Sequence, residues 1–158
     1  MTDAVDVTLT INGERRALRI APFETLLTSL RDRLGLTAAK RGCNQGVCGA
    51  CSVLIDGRPA RACLSLTANC VDREITTVEG LSSPLQLSPL QAALVHTGAI
   101  QCGFCTPGML ISLTALLQEC PRPTSDDIRT AISSNICRCT GYQKIVQAVA
   151  DMVAASAV

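Results

Sequence analysis

Ten cysteines in a chain of 158 residues constrain this sequence more than any other feature. Eight of them fall into two groups of four. The first is Cys43-x4-Cys48-x2-Cys51 followed by Cys63, and the second is Cys102-x2-Cys105 with Cys137-x-Cys139. Met1 to Thr10 has neither the basic start nor the apolar run of a signal peptide, and no stretch is apolar for long enough to span a bilayer. The expected compartment is therefore the cytoplasm, where thiols stay reduced, so the cysteines read as metal ligands rather than disulfides.

The pattern around the cysteines changes midway. Val5, Val7, Leu9 and Ile11 alternate with polar residues, Asn12-Gly13 is a hairpin turn signal, and Arg15 to Ile20 returns as a second strand. Leu26, Leu27, Leu30 and Leu34 recur at helical spacing before Gly35, with Arg31, Asp32 and Arg33 expected on a solvated face. Ser52 to Ile55, a turn at Asp56-Gly57, a strand within Pro59 to Leu66 carrying Cys63, and Ile75 to Val78 complete an α+β sheet domain over residues 1–80. Residues 81–87 have the look of a linker. Beyond it, over 88–158, four helix starts are marked: Ser88-Pro89 with Gln91, Thr106-Pro107, Thr124-x-x-Asp127 and Thr140-x-x-Gln143. Short connections between such helices predict an all-α four-helix bundle. Aromatic residues are only 2%, so both cores must be built from aliphatic side chains.

Cys-x4-Cys-x2-Cys with a more distant fourth cysteine is the plant-type ferredoxin spacing for a 2Fe–2S cluster. Zinc, the alternative, favours Cys-x2-4-Cys pairs. The second quartet fits a zinc knuckle on spacing alone, but both of its pairs sit ahead of a helix start, where a net-negative cluster gains from the helix dipole. Cys70 and Cys120 read as small apolar fillers and His96 as a surface or capping residue. A Rieske centre needs two histidines, and the chain has one.

No Ser–His–acid set, carboxylate dyad or phosphate loop stands out, so no catalytic residue is assigned; Gly103-x4-Gly108 lacks the lysine of a P-loop. The charges balance, 14 basic against 13 acidic, and no long basic run is present, which disfavours a nucleic-acid partner. A free soluble ferredoxin would be expected to be strongly acidic for electrostatic steering, which this chain is not.

Four segments together resemble one family, the small iron–sulfur subunit of the molybdenum hydroxylases, or xanthine oxidase family. They are Gly42-Cys43-x2-Gly46-x-Cys48-Gly49-Ala50-Cys51, Cys63, Gln101-Cys102-Gly103-Phe104-Cys105-Thr106-Pro107-Gly108, and Asn135-Ile136-Cys137-Arg138-Cys139-Thr140-Gly141-Tyr142. The resemblance implies a β-grasp ferredoxin-like domain followed by a four-helix bundle. It implies one 2Fe–2S cluster on Cys43, Cys48, Cys51 and Cys63, and another on Cys102, Cys105, Cys137 and Cys139. It further implies a heterotrimer, or a dimer of heterotrimers, with a large molybdopterin subunit and a medium FAD subunit. In some members the molybdopterin carries a cytosine dinucleotide. Carried over, Gln101 would hydrogen-bond at the pterin and Cys139 would be the ligand nearest it. Electrons would pass from molybdenum through the helical cluster and the ferredoxin-type cluster to FAD. Substrate selectivity would lie on the large subunit.

Overall fold

The structure, a computed structural model, describes residues 3–83 and 85–156. Pro84, inside the expected linker, and Met1, Thr2, Ala157 and Val158 lie outside the described residues. Strands β1 (Val5–Ile11) and β2 (Glu14–Ile20) pair antiparallel along their whole length, Val5 opposite Ile20 and Ile11 opposite Glu14. Asn12 and Gly13 take φ of 53° and 80°, the paired left-handed conformation that matches a two-residue turn to strand twist. Leu9, Ile11 and Ile20 are buried, whereas Val5 at the open end is exposed.

Strands β3 (Ser52–Ile55) and β4 (Arg58–Arg61) form a second hairpin, and β5 (Glu74–Thr76) joins the two. Among the described residues the sheet order is β2-β1-β5-β3-β4, with β1 and β5 parallel and the other pairs antiparallel. A parallel pair needs a long crossover, and here the crossover carries a helix and the first cysteine loop. The helix α1 (Leu26–Thr28) runs on into a π-helical turn at Ser29–Arg33. Its Leu26, Leu27 and Leu30 pack with Leu9, Ile11, Val53 and Ile75 in one apolar cluster.

Two local expectations for this half are corrected. The second strand of the β3–β4 hairpin ends at Arg61, because the Leu64 and Ser65 amides both turn back onto the Arg61 carbonyl; Cys63 therefore sits in a turn, not on a strand. The last strand stops at Thr76, since Val78–Gly80 close a 3-10 turn. Asp32 and Arg33 are exposed as expected and Arg31 is half-buried, and all three are also hydrogen-bonded. Arg31 donates to the Thr37 and Ala39 carbonyls, Arg33 to Glu24, and Asp32 accepts from Arg41. These bonds fasten the chain leading into the cysteine loop onto the helix. The Arg33 guanidinium, opposed by burial and aided by Ser29, also holds the Glu24 carboxyl below its usual range.

Helices α2 (Pro89–His96), α3 (Thr106–Glu119), α4 (Ser125–Ile132) and α5 (Gln143–Ala155) follow. Capping boxes at Ser88/Gln91 and Thr124/Asp127 start α2 and α4 as expected. The other two starts differ. Thr106 is already helical, and Cys105 occupies the cap position without a side-chain cap bond. Tyr142, at φ 66°, precedes α5, and Thr140 takes no part in a box. Leu90, Leu94, Met109, Leu113, Ile128, Ile132, Ile145 and Val149 from the four helices share one buried cluster.

Helix α3 serves both halves, which is why residues 108 to 113 are buried without interruption. Met109 and Leu113 face the helical cluster, while Ile111 and Ala115 pack on Leu54 of β3. The joint is close enough that a Cβ on Gly108 would lie 2.3 Å from the Gly49 carbonyl oxygen.

Candidate metal centres

The first quartet is built on a loop that curls through left-handed conformations at Asn44, Gly46 and Gly49 and is closed by the Lys40 amide on the Ala50 carbonyl at 2.9 Å. The curl turns backbone N–H groups inward: those of Gln45 and Cys48 each donate to Cys43 Sγ at 3.3 Å. These donors bring the Cys43 thiol down to about 6, so it is held as a thiolate, the form that binds metal. Cys51 precedes β3 and Cys63 follows β4. Because Ser52 pairs with Arg61, the two ends of the hairpin meet, and the Ala62 amide bonds to the Cys51 carbonyl at 3.3 Å. That explains how a fourth cysteine so near in sequence reaches the same loop. Both are buried, and burial pushes the Cys51 thiol up to about 11.

In the second quartet Cys102 and Cys139 are exposed with their sulfurs 3.6 Å apart. Cys105 and Cys137 lie side by side beneath them. Burial pushes Cys105 up to about 12, with Cys137 beside it adding to the rise. Burial also opposes the Cys137 thiolate, but the Thr140 hydroxyl at 3.1 Å and the Thr140 amide at 3.4 Å outweigh it and bring that thiol down to about 7.

Within each quartet the sulfurs are neighbours: Cys43 lies beside Cys48, Cys51 beside Cys63 and Cys48, Cys105 beside Cys137 and Cys102, and Cys139 beside Cys102. Among the described residues no three His, Cys, Asp or Glu side chains converge as the ligands of one ion. A tetrahedral zinc needs four donors on a single atom. Four neighbouring thiols per site suit a two-iron unit in which each iron takes two protein thiolates, and the N–H and O–H donors aimed at sulfur suit a negatively charged centre. The residues fit such clusters.

The two halves meet at a pocket of about 190 Å³ lined by Cys48 of the first quartet, with Gly42 and Ala50 beside it, and by all four cysteines of the second, with Phe104 and Ile136. Hydrogen bonds cross the joint beside it. The Ile136 amide donates to the Cys48 carbonyl at 2.9 Å, and Asn135 Nδ2 to the Gly49 carbonyl at 3.0 Å. Ser112 Oγ donates to Asn135 Oδ1 at 2.8 Å, and Arg61 to the Ser134 carbonyl at 2.8 Å. Asn135 is 1% exposed with its amide group engaged on both sides. Its role was not legible from the residues, although it lies two positions before the Cys137 pair.

Gln101 is exposed next to Cys102, so it stands at the same outer edge as Cys139. Cys70 is buried in the sheet-half cluster, Cys120 caps the end of α3 half-buried, and His96 is exposed in the last turn of α2. Cys70 is the apolar filler expected, in the same cluster as Cys51 and Cys63, and His96 is at the surface as expected.

Two family models match the chain, a "2Fe-2S iron-sulfur cluster binding domain" over residues 10–97 and a "[2Fe-2S] binding domain" over residues 77–150. The chain is 49% identical over 150 residues to the nicotine 6-hydroxylase small subunit of Paenarthrobacter nicotinovorans, covering 95% of this chain and 90% of that protein. It is 43% identical to the xanthine dehydrogenase iron-sulfur-binding subunit of Escherichia coli O157:H7, covering 95% of each. Among solved structures, a chain of quinoline 2-oxidoreductase from Pseudomonas putida 86 superposes with a TM-score of 0.93 at 45% identity, covering 98% of this chain and 96% of that one. With matched domains spanning both quartets and relatives similar over nearly their whole length, the chain belongs to the small iron–sulfur subunits of the xanthine oxidase, or molybdenum hydroxylase, family, and is a component of an oxidoreductase.

Proposed function

We propose that this chain is the electron relay between two partner subunits, a large one carrying molybdopterin and a medium one carrying FAD. The observation that carries the reading is that Cys48 of the first quartet and all four cysteines of the second line one pocket. Cys102, Cys105, Cys137 and Cys139 would hold the cluster on the molybdenum side, and Cys43, Cys48, Cys51 and Cys63 the cluster on the FAD side. A bound 2Fe–2S cluster supplies one-electron storage at a potential set by hydrogen bonds to sulfur and by burial. The chain's own work is to hold the thiolates, aim N–H and O–H donors at them, and keep the two sites at a fixed separation. The Cys48–Ile136 backbone hydrogen bond ties one ligand loop directly to the other.

On this reading residues 1–80 are a β-grasp ferredoxin-like domain, 81–87 a linker, and 88–158 a four-helix bundle. The assembly is a heterotrimer or a dimer of heterotrimers in the cytoplasm, with the molybdopterin as its cytosine dinucleotide. Among the described residues no helix is long and apolar enough to cross a membrane. Relatives of comparable identity are named for nicotine and for xanthine, which supports a substrate site on the large subunit rather than here. Gln101 and Cys139, exposed at one edge, would meet the molybdopterin.

The test is purification of the tagged chain with its untagged neighbours. Large and medium subunits should co-purify with molybdenum and flavin, and a monodisperse monomer would contradict the reading. In that complex Gln101→Ala should load both clusters yet slow their reduction by substrate about tenfold or more, the scale on which small losses of positioning act. Unchanged reduction kinetics would remove Gln101 from the molybdopterin site.

A further inference from the structure

Thr140, expected to open the last helix, is bonded to sulfur instead. Its hydroxyl donates to Cys137 Sγ at 3.1 Å and its amide to the same sulfur at 3.4 Å. A thiolate that ligates metal carries no proton to give, so the hydroxyl is the donor to it, while the hydroxyl oxygen accepts the Tyr142 amide at 3.3 Å. Tyr142 aims that amide from φ 66°, a conformation uncommon for a bulky residue. The phenol keeps it there: its oxygen accepts the Cys137 amide at 2.8 Å and its O–H donates to the Asn135 carbonyl at 3.1 Å. Residues 137–142 thus form a closed ring of bonds around one sulfur. Among the described residues no other hydroxyl donates to a sulfur of either quartet; Cys43 receives backbone amides alone.

We propose that Thr140 is a potential-tuning residue: its O–H···S bond to Cys137, locked by Tyr142, raises the reduction potential of the cluster in the second quartet. The inference rests on the reading above that this quartet holds a cluster. Reduction places one electron on the iron–sulfur centre, drawn in the complex from the molybdenum site and in a titration from dithionite, and the hydroxyl keeps its proton. The added charge is shared with the thiolate sulfurs, so a donor already aimed at one of them binds the reduced form more strongly than the oxidised. The first quartet has no such side-chain donor and should not respond.

The test is an EPR-monitored redox titration of the protein purified with the subunits it is isolated with. Thr140→Val removes the hydroxyl and keeps the branched shape and the amide. It should make the second cluster about tenfold harder to reduce, about 59 mV lower for a one-electron couple, and leave the first where it was. Thr140→Ser restores the hydroxyl and should titrate with the parent. An unmoved second potential in a fully loaded Thr140→Val protein overturns the proposal. So does a Thr140→Ser protein that falls as far as the valine variant, which would assign the effect to methyl packing. If the valine variant does not load, Tyr142→Phe, which unlocks the ring, should lower the same potential, and no shift there overturns the proposal. A parent with only one titrating cluster overturns both this inference and the reading it rests on.

Discussion

Cys43→Ser is expected to lose one of two EPR signals on reduction, retain the other, and retain about half of the parent iron. Cys43 is the thiol that the Gln45 and Cys48 amides hold as a thiolate. A serine hydroxyl is a harder ligand and ionises far less readily, so a cluster held here would lose a donor suited to iron. The second quartet should survive because none of its ligands comes from this loop. Its thiols are placed by the start of α3 and by the ring of bonds at 137–142. In the complex, substrate should still reduce the remaining cluster, while delivery to FAD slows. Two intact signals would strike Cys43 from the ligand set. Loss of both signals in a protein with a native circular-dichroism spectrum would show that the quartets do not load independently.

The second large effect belongs to a glycine. Glycine to alanine within a helix ordinarily stabilises, by up to about 1 kcal/mol in the interior, and Gly108→Ala falls in the first turn of α3. Here the new methyl would meet the Gly49 carbonyl oxygen at 2.3 Å and Asn135 Nδ2 at 2.9 Å. Neither can retreat cheaply. Gly49 is locked at φ +71°, with Ser134 oxygen 2.4 Å from where its own Cβ would be, and Asn135 is bonded on both sides. Relief therefore requires α3 to move off the first cysteine loop, at a cost of about 3 kcal/mol by the scale of overpacked cores. Thermal unfolding of the loaded protein should show a clearly lowered midpoint. A midpoint equal to or above the parent would mean that the joint is looser than the contact distances imply.

What could be read from the residues was what is local. Asn12-Gly13 and the Ser88 and Thr124 boxes each act within a few positions, and each appears as expected. Thr140-x-x-Gln143 looked the same but failed, because Tyr142 enters a left-handed conformation and shifts the helix start to Gln143. Pattern alone cannot tell a threonine that caps a helix from one bonded to sulfur. Cys63 was assigned to a strand for a similar reason: the turn that ends β4 at Arg61 is made by two amides on one carbonyl, without a glycine or proline to announce it. The joint between the halves was the least legible. Asn135 and Gly49 are 86 positions apart, and only the folded chain shows that each exists in its present form because of the other. The partners follow from the family resemblance and not from any residue's chemistry.

The account stands on paired irons in both quartets. Its most direct test is iron, acid-labile sulfide and zinc measured per chain on the purified protein. About four irons and about four sulfides, two for each cluster, are predicted. Zinc in place of iron, with no labile sulfide released on acidification, would contradict it.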